Sequence, residues 1–304
     1  MAFLPLSLSR RLAGAARLTR WKEHLPFTVP VTLMGVNMAV AGRPALLDAR
    51  SGLVLAANIL AVACAFMIND IEDAGDDAAD PERGARNAIA HGDLARSDGW
   101  LAALLTGGLA LALYALMPPL VFATGCLTLI LAVLYSWRAV RLKAIPVLDV
   151  IAHVLMLSAL LFLAGFFVYD SSPGAAWWAV GGVALVSAYG QLYNQLRDFD
   201  LDRAAGLRNL AALLGRAWTR RLMYVALALA AACLAVTIAQ GLWSAWLAIV
   251  PIILAPAVAW RRSGRDMRGT AAIDISGRWQ WGFMLVANLM MIAWLAALAF
   301  AAPR

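Results

Sequence analysis

The stretch Asn69-Asp70-Ile71-Glu72-Asp73-Ala74-Gly75-Asp76-Asp77 crowds five carboxylates onto the end of an apolar run that begins near Leu53. On a helix turning 100° per residue, Asn69, Asp73 and Asp77 stack one turn apart on one face, with Asp70 and Asp76 beside them. Carboxylates about 6 Å apart, at an effective dielectric of about 20, repel by on the order of 3 kcal/mol per pair. A fold that keeps them ionised requires a compensating cation, and a hard divalent ion with oxygen ligands matches the chemistry. The device occurs twice. Asn194, Asp198 and Asp202 repeat the spacing at an offset of 125 residues, again at the end of an apolar run. Each copy is followed by a similar tail, Arg86-Asn87 then Gly92 and Arg208-Asn209 then Gly215. Two such clusters on one chain point to one site built from two halves.

Of the 304 residues, 63% are hydrophobic and 14% charged, and the mean hydropathy is +0.75, which places the chain among polytopic membrane proteins. The net charge of +7 is accounted for by topology and calls for no nucleic-acid partner. Cys64, Cys126 and Cys233 lie inside apolar runs without metal-type spacing and read as small core residues. Residues 1–24 carry Arg10, Arg11, Arg17 and Arg20 ahead of the first acid, Glu23, and read as a basic cytoplasmic tail, an organellar transit signal being the alternative. Residues 25–304 form a single transmembrane domain.

Apolar runs predict nine spans, near 25–42, 52–69, 99–117, 119–137, 147–169, 175–194, 219–240, 242–260 and 280–301. With the N-terminus cytoplasmic, 22 of the 25 Lys and Arg residues fall on the inner side, the exceptions being Arg43, Arg50 and Arg304. Both acidic clusters then sit on the cytoplasmic face, at the ends of spans two and six. An even number of spans separates them, so the repeat is parallel, unlike the inverted repeats of many transporters. The multi-pass chain is placed in the bilayer of the cell (inner) membrane.

These stretches resemble the UbiA superfamily of intramembrane prenyltransferases. Asn69, Asp70, Asp73 and Asp77 meet its NDxxDxxxD motif, and Asn194, Asp198 and Asp202 meet its NxxxDxxxD motif. Tyr135-Ser136 followed by Arg141-Leu142-Lys143 is similar to its YS-x4-RLK segment. The resemblance implies an all-α bundle of nine transmembrane helices around a central cavity that opens near the cytoplasmic face. It implies transfer of a polyprenyl group from a polyprenyl diphosphate donor to a hydrophobic or aromatic acceptor. Asp70, Asp73, Asp77, Asn194, Asp198 and Asp202 are the expected Mg2+ ligands, with Asn69 in support and Glu72 and Asp76 as further candidates. Mg2+ would stabilise the departing diphosphate as a Lewis acid. Lys143 and Arg141 would cover the charge that the metal leaves exposed. The faces of Tyr135, Tyr189 and Tyr193 suit an allylic cation. Arg86 and Arg208 either reach the diphosphate or neutralise nearby acids.

Asp149 and His153 stand four residues apart just inside span five, where ionisable groups are costly unless paired or used. They are either a self-satisfied pair or the groups that orient or deprotonate the acceptor. Asn37, Asn58 and Asn288 are expected to hydrogen-bond between helices, Pro251 and Pro256 to kink span eight, and Trp177, Trp178 and Trp279 to anchor at the interface. The basic loop 261–278 either lies on anionic lipid or folds over the cavity as a lid. Some branches of the family, carotenoid elongases among them, read YSAPP, where this chain has Tyr135-Ser136-Trp137-Arg138-Ala139. An ion-coupled transporter and a CDP-alcohol phosphotransferase are the rival functions. The first is disfavoured by acids confined to one face, and the second by the absence of a DxxDGxxAR motif.

Overall fold

The computed structural model describes residues 8–260 and 264–301. Arg261, Arg262 and Arg304 lie outside the described residues, as does the start of the basic N-terminal segment. Apolar runs that must satisfy every backbone group internally can only coil, and the described residues are all-helical apart from one isolated bridge, Arg265 to Ala271. The chain order is α1 (Leu8–Leu18), α2 (Trp21–Val40), α3 (Arg50–Asp77), α4 (Pro81–Arg86), α5 (Arg96–Ala115), α6 (Pro119–Ser136), α7 (Leu148–Val154), α8 (Leu160–Phe167), α9 (Trp177–Arg197), α10 (Phe199–Ala204), α11 (Leu210–Ala239), α12 (Ile249–Trp260) and α13 (Ile275–Ala301). One π-helical turn, Leu155–Ala159, joins α7 to α8.

A helix stands near each of the nine expected spans, and six among the described residues are long and apolar enough to cross a membrane: α3, α5, α6, α7 through α8, α11 and α13. α12 has only 12 residues, preceded by a 3-10 turn, Ala245–Ala248, and only Pro256 sits in its interior. Within the basic segment ahead of residue 25, Leu8–Leu18 form a helix. α1 docks on the loop after α4, where Arg17 pairs with Asp93 and donates to the Ala85 carbonyl at 2.8 Å. Arg20, at φ 50°, makes the corner into α2.

The two halves of the repeat pack alike: α3 lies against α5, and α9 against α11. They join through a reciprocal glycine contact between α2 and α8. A Cβ on Gly35 would fall 2.1 Å from the Phe162 carbonyl oxygen, and one on Gly165 would fall 2.4 Å from that of Thr32. Only glycine allows backbones to approach so closely. Buried Asn58 braces this crossing, donating to Thr32 Oγ1 at 2.8 Å and to the Leu161 carbonyl at 3.0 Å while accepting from Tyr114 at 2.6 Å. Asn37 and Asn288 likewise bond across helices, to the carbonyls of Met291 and Pro26. The three expected interhelical asparagines are therefore all in that role. Trp177 and Trp178 are exposed at the start of α9.

Candidate active site

α3 continues unbroken to Asp77, so Asn69, Asp73 and Asp77 are stacked as their spacing requires. The second motif is less regular. α9 ends at Arg197, Asp198 leaves helical geometry at ψ 8°, and Asp202 belongs to α10. A 2.8 Å bond from Asp202 N to the Asp198 carbonyl preserves the one-turn stagger across the break.

Both motifs line one cavity of about 180 Å³. Asp70, Asp73 and Asp77 face it from α3, and Asn194, Asp198 and Asp202 from the other half. Arg20, Arg83, Arg86, Lys143 and Arg268 supply its positive charge. Its apolar lining is Ala65, Phe66, Met156, Leu157 and Leu207, so ionic and apolar side chains share one cavity, and Phe66 stands one residue short of a full turn before Asn69 on α3. Met156 and Leu157 belong to the π turn, a local widening of the helix that recurs at functional sites.

In this arrangement the carboxylates are compensated by the chain's own cations. Lys143 pairs with Asp73 and donates to Asn69 Oδ1 at 3.0 Å. Arg20 reaches Asp70 at 3.0 Å. Arg83 lies 3.2 Å from Asp202 and 3.6 Å from Asp198. Asp80 caps α4 by accepting from Glu82 N and Arg83 N, with Pro81 opening the helix, and this short turn aims Arg83 across the cavity. Arg197 grips Asp198 through two bonds of 3.0 Å. Burial pushes the pKa of Asp198 up, but bonding and charge from Arg197, then Arg268 and Arg83, outweigh it and hold the group below the usual carboxylate range. Burial and the charge of Asp198 hold Asp202 above that range in spite of Arg83.

The tail asparagines explain their recurrence. Asn87 donates to Asp77 Oδ2 at 2.9 Å and to the Asp70 carbonyl at 2.8 Å. Asn209 donates to Asp202 Oδ2 at 3.1 Å while capping α11 at Ala212 N. Each half thus orients its last aspartate with its own asparagine.

The donor set, aspartate and asparagine oxygens from both halves around one cavity, fits a hard divalent cation. Among the described residues no three acidic, His or Cys side chains converge ready-made on one point. Such a cation would take the place of the present Arg and Lys partners.

Several expected site residues lie elsewhere. Glu72 is buried against Arg96 at 2.9 Å and the Arg138 backbone at 3.2 Å, and Asp76 pairs with Arg138 and Arg141; neither lines the cavity. Arg141 bonds Asp76 at 2.8 Å and reaches the cavity-lining Asp73 at 3.3 Å without itself lining the cavity. Arg208 is exposed, whereas Arg86 lines the cavity. Tyr135 lines it and accepts from Gln191 at 2.9 Å. Tyr189 and Tyr193 are buried behind it: Tyr189 accepts from Gln280, and Tyr193 accepts from Ile273 N at 3.2 Å. Asp149 does not turn to His153. It accepts from Gln195 and from Leu210 N, both at 2.7 Å, securing the start of α11. His153 stays in the cavity wall, 3.3 Å from Ser187 Oγ. Arg20, Arg83 and Arg268 were legible in the sequence only as topology signals; Phe66, whose ring lies 4.8 Å from the Arg20 guanidinium, carried no signal at all.

The chain matches the model of the UbiA prenyltransferase family over residues 28–275, a stretch that includes both motifs. It is 28% identical over 295 residues to a lycopene elongase/hydratase of Haloferax volcanii, covering 96% of this chain and 90% of that protein. Its fold is similar to that of a UbiA homologue from Archaeoglobus fulgidus solved with GPP and Mg2+, with a TM-score of 0.72, 22% identity, and coverage of 94% of this chain and 99% of that one. The same homologue with DMAPP and Mg2+ gives a TM-score of 0.71, 21% identity, and coverage of 94% and 98%. A UbiA homologue from Aeropyrum pernix K1 gives 0.65, 22% identity, and coverage of 90% and 98%. The family match over most of the chain, with both aspartate motifs on one cavity, identifies this protein as a member of the UbiA prenyltransferase family.

Proposed function

We propose that this prenyltransferase moves a prenyl group from its diphosphate to a lipophilic or aromatic acceptor within the bilayer, using Mg2+ held by Asp70, Asp73, Asp77, Asn194, Asp198 and Asp202. The observation that carries the reading is that one cavity is lined both by the ionic groups of the two motifs and by apolar side chains. A diphosphate belongs at the first and an allylic chain at the second. GPP, DMAPP and Mg2+ in the related archaeal structures support the donor class. Family membership sets aside the transporter and CDP-alcohol readings.

Bound Mg2+ would supply Lewis-acid stabilisation of the departing diphosphate. Lys143, Arg20 and Arg83, released from their carboxylates, would hold its remaining charge. Asn87 and Asn209 would keep Asp77 and Asp202 oriented. The Tyr135 ring and the apolar wall would shelter the allylic group from water. His153, in the cavity wall one turn from Met156 and Leu157, would take the proton that the acceptor loses on substitution. The chain would cross the membrane nine times with its N-terminus and both motifs cytoplasmic, the distribution of Lys and Arg being the support. α1, with Leu8 and Leu12 exposed, would lie in the interface.

The name of the Haloferax relative makes lycopene the first acceptor to test. Purified protein incubated with labelled DMAPP or GPP should release diphosphate only with Mg2+, and should label a lipophilic acceptor. Absence of release from either donor, in folded protein with Mg2+, contradicts the reading.

A further inference from the structure

Residues 264–272, ahead of α13, fold into a small hairpin built on Asp266. Asp266 N donates to the Thr270 carbonyl at 2.8 Å, Gly269 N returns to the Asp266 carbonyl at 3.0 Å, and Gly269 turns the chain at φ 80°. The fully buried Asp266 carboxylate collects Arg268 N at 2.9 Å, Thr270 N at 3.2 Å and Thr270 Oγ1 at 2.7 Å. It also accepts from Arg197 Nη1 at 3.1 Å. Arg197 is the residue that clamps Asp198, so the hairpin is bolted to the second aspartate motif. Tyr193, behind it, adds a contact from its hydroxyl to Asp266 at 3.5 Å.

This frame puts Arg268 at the hairpin tip and into the cavity wall. Its guanidinium forms loose ion pairs with Glu23 at 3.7 Å and Asp198 at 3.6 Å, and hydrogen-bonds to neither. Both carboxylates are already taken, Glu23 by Arg20 and Asp198 by Arg197. Arg268 thus keeps a five-donor fork without an acceptor among the described residues, in a cavity that already contains Arg20 and Arg83. Burial, then the charges of Arg197 and Arg20, depress its pKa, with Glu23 and Asp198 opposing them.

We infer that Arg268 is a diphosphate-gripping residue, its guanidinium fork taking phosphate oxygens of the donor in the cavity, with Asp266 and Arg197 as the positioning residues that link this grip to the second motif. The inference rests on the donor reading above. It gives the hairpin a direct chemical task and explains why a loop outside both motifs is tied to one of them. Planar bidentate pairing is what distinguishes Arg from Lys on phosphate.

The test is calorimetric binding of inorganic diphosphate to the purified full chain at saturating Mg2+, with thermal melts as the folding control. Arg268→Gln should weaken binding about 10- to 100-fold, the span of a charge-assisted pair, while affinity for Mg2+ alone does not fall. Arg268→Lys, which keeps the charge and the fold but loses the fork, should fall about 5-fold or more. Wild-type diphosphate affinity in either folded variant overturns the inference while leaving the donor reading intact. Failure of the wild type to bind diphosphate overturns both.

Discussion

Arg83 Nη2 lies 3.2 Å from Asp202 Oδ1, so a cation that follows the first motif neutralises the last carboxylate of the second. The two halves of the repeat are therefore electrostatically joined even without a metal. Arg83→Ala removes that link and leaves Asp198 and Asp202 facing each other with less compensation. Metal-free protein should lose about 1–2 kcal/mol of stability, and Mg2+ should recover most of it, because the ion takes over the same charge. Thermal melts with and without Mg2+ decide the matter: an equal deficit in both conditions contradicts it.

Asn87→Ala and Asn209→Ala should behave as a matched pair. Each removes the donor that orients the last aspartate of its own half, and loss of such an outer-shell partner typically costs about 10- to 100-fold in metal affinity. Mg2+ titration of each variant checks the expectation. A loss at one position and none at the other would show that only one half holds the ion.

Asp149→Asn and His153→Ala should separate. Asp149 accepts from Leu210 N and Gln195, so its change is structural and costs about 1–3 kcal/mol. His153 leaves the α11 start untouched, and its loss should lower turnover with the prenyl acceptor while diphosphate binding survives. Full turnover in His153→Ala would remove it from the chemistry.

Gly35→Ala and Gly165→Ala each force a methyl group to within 2.1 or 2.4 Å of a carbonyl oxygen on the facing helix. Separation of α2 from α8 is the only relief, and the cost is about 3 kcal/mol or more. Yield and melting temperature of both variants in detergent measure it; wild-type melting would contradict the close crossing.

What the sequence makes legible and what it hides divide along physical lines. The aspartate stacks could be placed because a helical period maps spacing onto a face, and α3 obeys it through Asp77. Lys143 could be placed because its segment matches a known motif. Arg20, Arg83 and Arg268 could not, since a basic residue between apolar runs looks the same whether it signals topology or turns back into the bundle. Tyr189 and Tyr193 lie one turn apart near the second motif, yet the face they share is covered by residues 264–280, a contact remote in sequence. Asp149 and His153 have the spacing of a pair, but Leu210 N, presented by α11, is the stronger claimant for the carboxylate. Arg138, where related branches read proline, secures Glu72 and Asp76 instead.

The central claim is that carboxylates of both halves act as one donor site. Binding of inorganic diphosphate at a fixed Mg2+ concentration should be compared in wild type, Asp73→Asn, Asp198→Asn and the double variant, each confirmed folded. Groups that act as a unit are non-additive, so either single change should remove nearly all Mg2+-dependent binding and the second should add little. Wild-type affinity in Asp198→Asn, with the loss confined to Asp73→Asn, would contradict the claim and leave the second cluster without a part in holding the donor.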